Sequence, residues 1–196
     1  SMKASPESEP TPEQVERVLH EGHELAGAGD FQAAEFTFMQ GLSLARKMGH
    51  VLYMAEALTA AGVASDAQGA PNLAVNYIGE AVGLLDAKIP EHWNMLAISH
   101  RFMGGAYAKL QKLEEAKKHL DISSLLREEV YKRDGSSLDL ALFHVTRSEA
   151  LEVAGERAEA ARELGEAVAA YTAAGNHVAA EFYQRRKQEL EHEMEK

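Results

Sequence analysis

Small and large apolar residues recur along this chain in columns that suit packed helices, and no run alternates apolar and polar residues between turn signals as a strand would. Four turn points, Gly29, Gly69, Gln111 and Gly155, are separated by 40, 42 and 44 residues. Seven residues before each stands a small residue: Gly22, Gly62, Gly104 and Ser148. Five after each stands Ala34, Ala74, Ala116 or Ala160, and nine after stands a large apolar one, Phe38, Ile78, Leu120 or Leu164. Twelve after comes another small residue, Gly41, Ala81, Ser123 or Ala167. Each repeat therefore reads as two helices joined by a short turn, close enough that one needs small residues where the other passes. One such pair cannot bury its own apolar face, so the repeats are expected to stack.

Helix ends are legible from local chemistry. Thr11, Pro12 and Gln14 make a cap, a first-turn proline and a capping box. Asp30 is placed to cap the second helix, and Pro71 and Pro90 to open the fourth and fifth. In "KRDGSS" Gly135 ends one helix, and Ser136 or Ser137 caps the next. The predicted helices cover residues 12–28, 31–48, 51–67, 71–88, 90–110, 113–132, 138–154 and 157–173, with a ninth at 177–194. Residues 1–10, rich in Ser, Pro and Glu, are expected to be disordered.

The stretches "GDFQAAEFTFMQGLSLA" (Gly29 to Ala45) and "ALTAAGVASDAQGAPNLAVNYIGEAVGLL" (Ala57 to Leu85) resemble tetratricopeptide (TPR) repeats. The likeness covers about residues 12–174. The repeats are longer than the 34 residues usual in that family, as in kinesin light chains and some bacterial regulators. Departures are Glu21 and Arg147 where an apolar residue is usual, and Ser148 in place of glycine. The resemblance implies an all-α, right-handed α-solenoid of four TPR-like helix pairs over residues 11–174, with a C-terminal capping helix over 175–196.

Composition narrows the function. Net charge is −11, with 31 Asp and Glu against 20 Lys and Arg, which argues against nucleic acid as a partner. There is no cysteine, so thiol catalysis, disulfides and Cys-ligated zinc are excluded. No apolar run approaches a membrane span, and the start shows no apolar signal region, so a cytoplasmic, acidic protein is expected. Ser1 ahead of Met2 reads as a cleavage scar, with Met2 the expected native start.

"HEGHE" at residues 20–24 invites a metal reading. His20 and His23 are three apart, however, not four as in a zincin helix, and Gly22 belongs to the close-packing column. His20, His23 and Glu24 are the only metal candidates, and a catalytic zinc needs three ligands plus an open position. No cofactor is expected, and no catalytic constellation is visible. His100 and His144 stand in a helix-interface column shared with Val18 and Leu58, so both are expected to be partly buried and hydrogen-bonded. Trp93 is expected to pack on the preceding repeat, and Arg185, Arg186 and Lys187 to form a solvated face, with pairing to nearby glutamates the alternative.

In the TPR family the first helix of each pair lines a concave groove. Carried onto this chain, that face offers Glu16, Leu19, His20 and His23 in the first repeat and Glu56, Thr59, Val63 and Asp66 in the second. The third offers Ile98, Arg101, Phe102 and Lys109, and the fourth Leu142, Val145, Thr146, Glu149 and Glu152. Phe102 and Val63 suit apolar anchors, Arg101 and Lys109 a carboxylate, and Asp66 and Glu149 a basic group. The chaperone-tail clamp of lysines and asparagines known in the family is incomplete here. The reading is a non-enzymatic protein-interaction scaffold for a partner peptide or helix. A self-assembling module, dimerising through its solenoid faces, is the alternative, and a metal-binding protein at His20, His23 and Glu24 a lower one.

Overall fold

The computed structural model describes residues 8–196, so the expected disordered tail falls largely on residues 1–7, outside the described residues. Among the described residues there are nine α-helices, one 3-10 turn and no strand: an all-α fold. The chain divides into two compact units, one ending at Leu85 and the other spanning Asp86–Lys196.

The N-terminal unit holds α1 (Pro12–Gly27), α2 (Phe31–Met48), α3 (Val51–Ala67) and α4 (Pro71–Leu84), each packed on the next. Its caps form as the local sequence requires. The Thr11 side chain accepts from the Gln14 amide while the Gln14 side chain accepts from the Thr11 amide. Asp30 accepts from the Ala33 amide, and His50 Nδ1 from the Tyr53 amide at 3.1 Å.

The C-terminal unit holds α5 (Trp93–Lys109), α6 (Leu113–Asp134), α7 (Ser137–Val153), α8 (Arg157–Ala173) and α9 (His177–Met194), again packed in succession. Gly135 takes the left-handed conformation that ends α6, and Ser136 caps α7 through the Leu138 and Asp139 amides.

One boundary departs from expectation. α4 stops at Leu84 rather than 88, and α5 begins at Trp93 after a 3-10 turn at Pro90–His92. Pro90 bars Ile89 from helical backbone, and Ile89 is extended (φ −100°, ψ 108°). Asp86 diverts the chain further, its carboxylate accepting from the Lys88 amide at 2.9 Å. Trp93 reads back onto this segment, donating from Nε1 to the Ala87 carbonyl, with Arg133 stacked 5.8 Å from its ring.

The columns explain the packing within each pair. Ala34, Ala74, Ala116 and Ala160 are all fully buried. A methyl group built on Gly22, Gly62 or Gly104 would lie 2.5–2.6 Å from Phe38, Ile78 or Leu120, the large residues of the partner column. At these three positions the second helix therefore passes too close for a side chain on the first. Ser148 shows how the fourth repeat departs without losing the approach. Its hydroxyl donates to the Ala160 carbonyl at 2.9 Å, and the equivalent carbonyls of Ala74 and Ala116 face Gly62 and Gly104. A close contact is replaced by a buried hydrogen bond.

Candidate functional site

In the C-terminal unit, side chains from α5, α7 and α9 bridge one another. Arg101 on α5 reaches Glu149 on α7, with Nε at 2.8 Å and Nη2 at 2.6 Å from Oε1. Tyr183 of α9 also hydrogen-bonds Arg101. Burial alone would lower the Arg101 pKa, but the Glu149 carboxylate and Tyr183 hold it above the ordinary arginine range. Arg186 of α9 pairs with Glu152 of α7 and, at 3.0 Å, with Glu189. The inner charges of this unit thus answer each other across three helices.

The same three helices also carry exposed apolar side chains. Phe102 is 39% exposed, Leu138 46%, Phe182 62% and Val178 82%. Helical register puts Leu138 beside Leu142 on α7 and Val178 beside Phe182 on α9, each four residues apart. Phe182 stands six before Gln188 as Leu142 stands six before Ser148, so the two occupy one column. A pocket of about 250 Å³ opens beside the Arg101–Glu149 pair, floored by Gly104, Gly105 and Ala108 and walled by Glu149, Glu152 and Val153. Beneath the face Arg127 is buried and donates from Nη1 to Asn94 at 2.6 Å. Desolvation lowers its pKa, opposed by Asp139.

In the N-terminal unit α1 and α3 are tied through Tyr53, whose hydroxyl donates to Glu16. That bond, with some burial, pushes the tyrosine pKa up to about 12. His20 pairs with Glu24 at 3.0 Å within α1, while His23 faces Glu56 at 3.8 Å and packs edge-on against Phe38. The two histidines of "HEGHE" are thus turned to different carboxylates. Among the described residues no three His, Cys, Asp or Glu side chains converge as a metal site.

Several candidate residues stand differently from expectation. Thr59 and Thr146 are buried, at 3% and 0% exposure, so neither lines an open face. Thr59 shares its column with Leu19 and Val145, also buried, which turns it toward neighbouring helices. Thr146 is short, and its hydroxyl bonds the Leu142 carbonyl of its own helix at 2.7 Å. Val63 and Asp66 are half-buried, and Lys109 is exposed at the end of α5. Arg101 and Glu149, expected to wait for opposite charges from a partner, already hold one another. Sequence reasoning missed Tyr183, Phe182 and Val178, because α9 was read as a polar cap. The signal was available in its register. Gln188 falls eleven after the start of α9, as Ser148 falls eleven after the start of α7. It is exposed where the repeats carry a buried small residue, so α9 keeps a first helix's position without a second helix behind it.

Solved structures place this architecture. BtubC (BKLC) from P. vanneervenii is similar with a TM-score of 0.63 at 15% identity, covering 93% of this chain and 82% of that one. A Podosopora anserina putative kinesin light chain with nearly identical TPR-like repeats has a TM-score of 0.62 at 18% identity, covering 94% and 98%. The fold is TPR-like. No protein-family model matches the chain, and no curated protein matches it. The likeness to a kinesin light chain's TPR-like repeats accords with the long-repeat variant read from the turn-point spacing. No helix among the described residues is long and apolar enough to cross a membrane.

Proposed function

We propose that the chain is a non-catalytic, cytoplasmic protein-interaction scaffold, and that the α5–α7–α9 face takes a peptide or helix of a partner protein. The observation that carries this reading is the exposed set Phe102, Leu138, Val178 and Phe182 on three helices whose facing ion pairs are already matched within the chain. A face whose charges are internally answered has little to gain from a charged ligand. Its free energy of binding comes from covering apolar surface, roughly 1.5–3 kcal/mol for each side chain fully buried. The pocket floored by Gly104 and Gly105 has room for a small anchor. Lys109 at the end of α5 serves as a further contact, and His20, His23, Val63 and Asp66 form the candidate surface of the N-terminal unit by itself. Residues 11–174 act as tandem binding repeats and 175–196 as their cap. The excess negative charge disfavours nucleic acid.

Selection of displayed peptides against the full chain, followed by calorimetry, tests this. Selected peptides should carry spaced apolar residues and bind with little salt dependence. Phe102→Ser and Phe182→Ser, each with unchanged circular dichroism, should weaken binding at least tenfold. Peptides that bind both variants as well as the parent place the site elsewhere. A homodimer through the same patch is the alternative, favoured by the 82% exposure of Val178. Light scattering across concentration separates the two, since a dimer abolished by Phe182→Ser favours self-assembly.

A further inference from the structure

At one position in each repeat, a residue of the first helix has its counterpart on the second, nineteen residues later. The pairs are Val18 with Thr37, Leu58 with Tyr77, His100 with His119, and His144 with Glu163. Three of these have an ordinary chemical logic. The fourth repeat gives His144 a carboxylate, with Nδ1 2.6 Å from the Glu163 oxygen, and Arg147 adds a second hold on that carboxylate at 3.2 Å. The third repeat gives a histidine another histidine.

His100 is buried, and its Nδ1 lies 2.9 Å from Nδ1 of His119. The rings are stacked at 5.2 Å and 21°, and Tyr107 of α5 stacks on His119 at 5.3 Å and 7°. A neutral pair satisfies this geometry only with opposite tautomers, one Nδ1 donating and the other accepting. Each ring may be placed either way, but both cannot carry a Nδ1 proton at this distance. The charged groups acting on the pair come from α6: Lys118 on both rings, and Glu115 on His119 alone. α7, packed on α6, contributes no charge that registers at either ring.

We propose that His100 and His119 form an acid-released latch that holds α5 against α6 until both imidazoles are protonated. Doubly protonated, the pair would bring two cations and two Nδ1–H donors into contact with no acceptor between them, so the contact opens instead. Burial, with His119 and Lys118, lowers His100 to about 4 from its ordinary 6.5, and burial with Lys118 lowers His119 against the opposing pull of Glu115. The folded state therefore binds fewer protons than the unfolded one below pH 6.5. Stability of this helix pair is full above that pH and falls as the pH drops toward 4. α5 also carries Arg101 and Phe102, so release of the latch disturbs the face proposed to bind a partner. The latch itself does not depend on that reading.

Hydrogen exchange by mass spectrometry on the full chain, from pH 7 to 4 and corrected for intrinsic rates, tests it. Protection of α5 and α6 should fall at least tenfold more than that of α7 and α8. The variant His100→Leu/His119→Tyr installs the combination the second repeat already uses, and it should abolish the difference. An unchanged difference in that variant overturns the latch. Should the variant not fold, imidazole NMR titration of the unaltered chain decides: His100 and His119 titrating well below the ordinary histidine value support it, and both titrating at that value overturn it. Stoichiometric zinc binding in calorimetry, lost in the variant, also overturns it, because the converging nitrogens would then serve a metal.

Discussion

Gly104 and Gly105 are neighbours on α5, yet alanine should act with opposite sign at the two positions. A methyl at Gly104 would sit 2.6 Å from Leu120 Cγ, 3.0 Å from its Cδ2 and 3.1 Å from the Ala116 carbonyl oxygen. Carbon atoms in comfortable contact are about 3.5–4.0 Å apart, so α6 would have to retreat by about 1 Å. Neither the branch point of a buried leucine nor a helix carbonyl can rotate out of the way. Overpacking of this kind costs about 1–3 kcal/mol. The better helix propensity of alanine returns up to about 1 kcal/mol, leaving a net loss of up to about 2 kcal/mol. At Gly105 nothing lies within 4 Å, so only the propensity gain of about 0.5–1 kcal/mol remains. In a chain of this size 1 kcal/mol moves the melting temperature by about 2–4 °C. Thermal unfolding and urea titration followed by far-ultraviolet circular dichroism would show Gly104→Ala lower and Gly105→Ala higher than the parent. A Gly104→Ala variant as stable as the parent would refute the claim that the small-residue column exists to let the second helix approach.

Gln111 holds a turn with φ of 61°, where the other three repeats use glycine, so Gln111→Gly should raise stability by about 0.5–1 kcal/mol in urea unfolding. Arg101→Leu leaves Glu149 in a partly covered site without its partner, and should cost about 2–3 kcal/mol, a loss that Arg101→Leu/Glu149→Leu recovers in large part. Ser148→Ala removes the donor to the buried Ala160 carbonyl and should cost about 1–2 kcal/mol by the same assay. Unfolding measured from pH 7 down to 4 should show stability decreasing as pH falls, on the order of 2–3 kcal/mol over the window set by His100, and the slope should flatten in His100→Leu/His119→Tyr.

Sequence by itself determined the helices and the manner of their pairing. Capping residues, prolines and glycines act on backbone a few residues away, so Thr11, Asp30, Pro71 and Ser136 mark their ends without help from distant parts of the chain. The columns were legible for a related reason: a close approach between two rods admits only glycine, alanine or serine, and the helical period repeats that demand in every pair. The linker after α4 was the exception, because Asp86 and the residue before Pro90 compete with an otherwise helical pattern.

The partners of the long side chains were decided only in three dimensions. Periodicity assigns a residue to a face, but several acids share each face with several bases, and a guanidinium on a flexible stem reaches any of them. That Arg101 takes Glu149 rather than waiting for a ligand depends on how α5 and α7 lie side by side, 48 residues apart in sequence. Thr59 and Thr146 were lost from the binding face because a rotation smaller than one residue's 100° separates an open position from a covered one. Two histidines nineteen residues apart became one hydrogen-bonded unit for the same reason, since only the packed pair of helices brings their nitrogens within 2.9 Å.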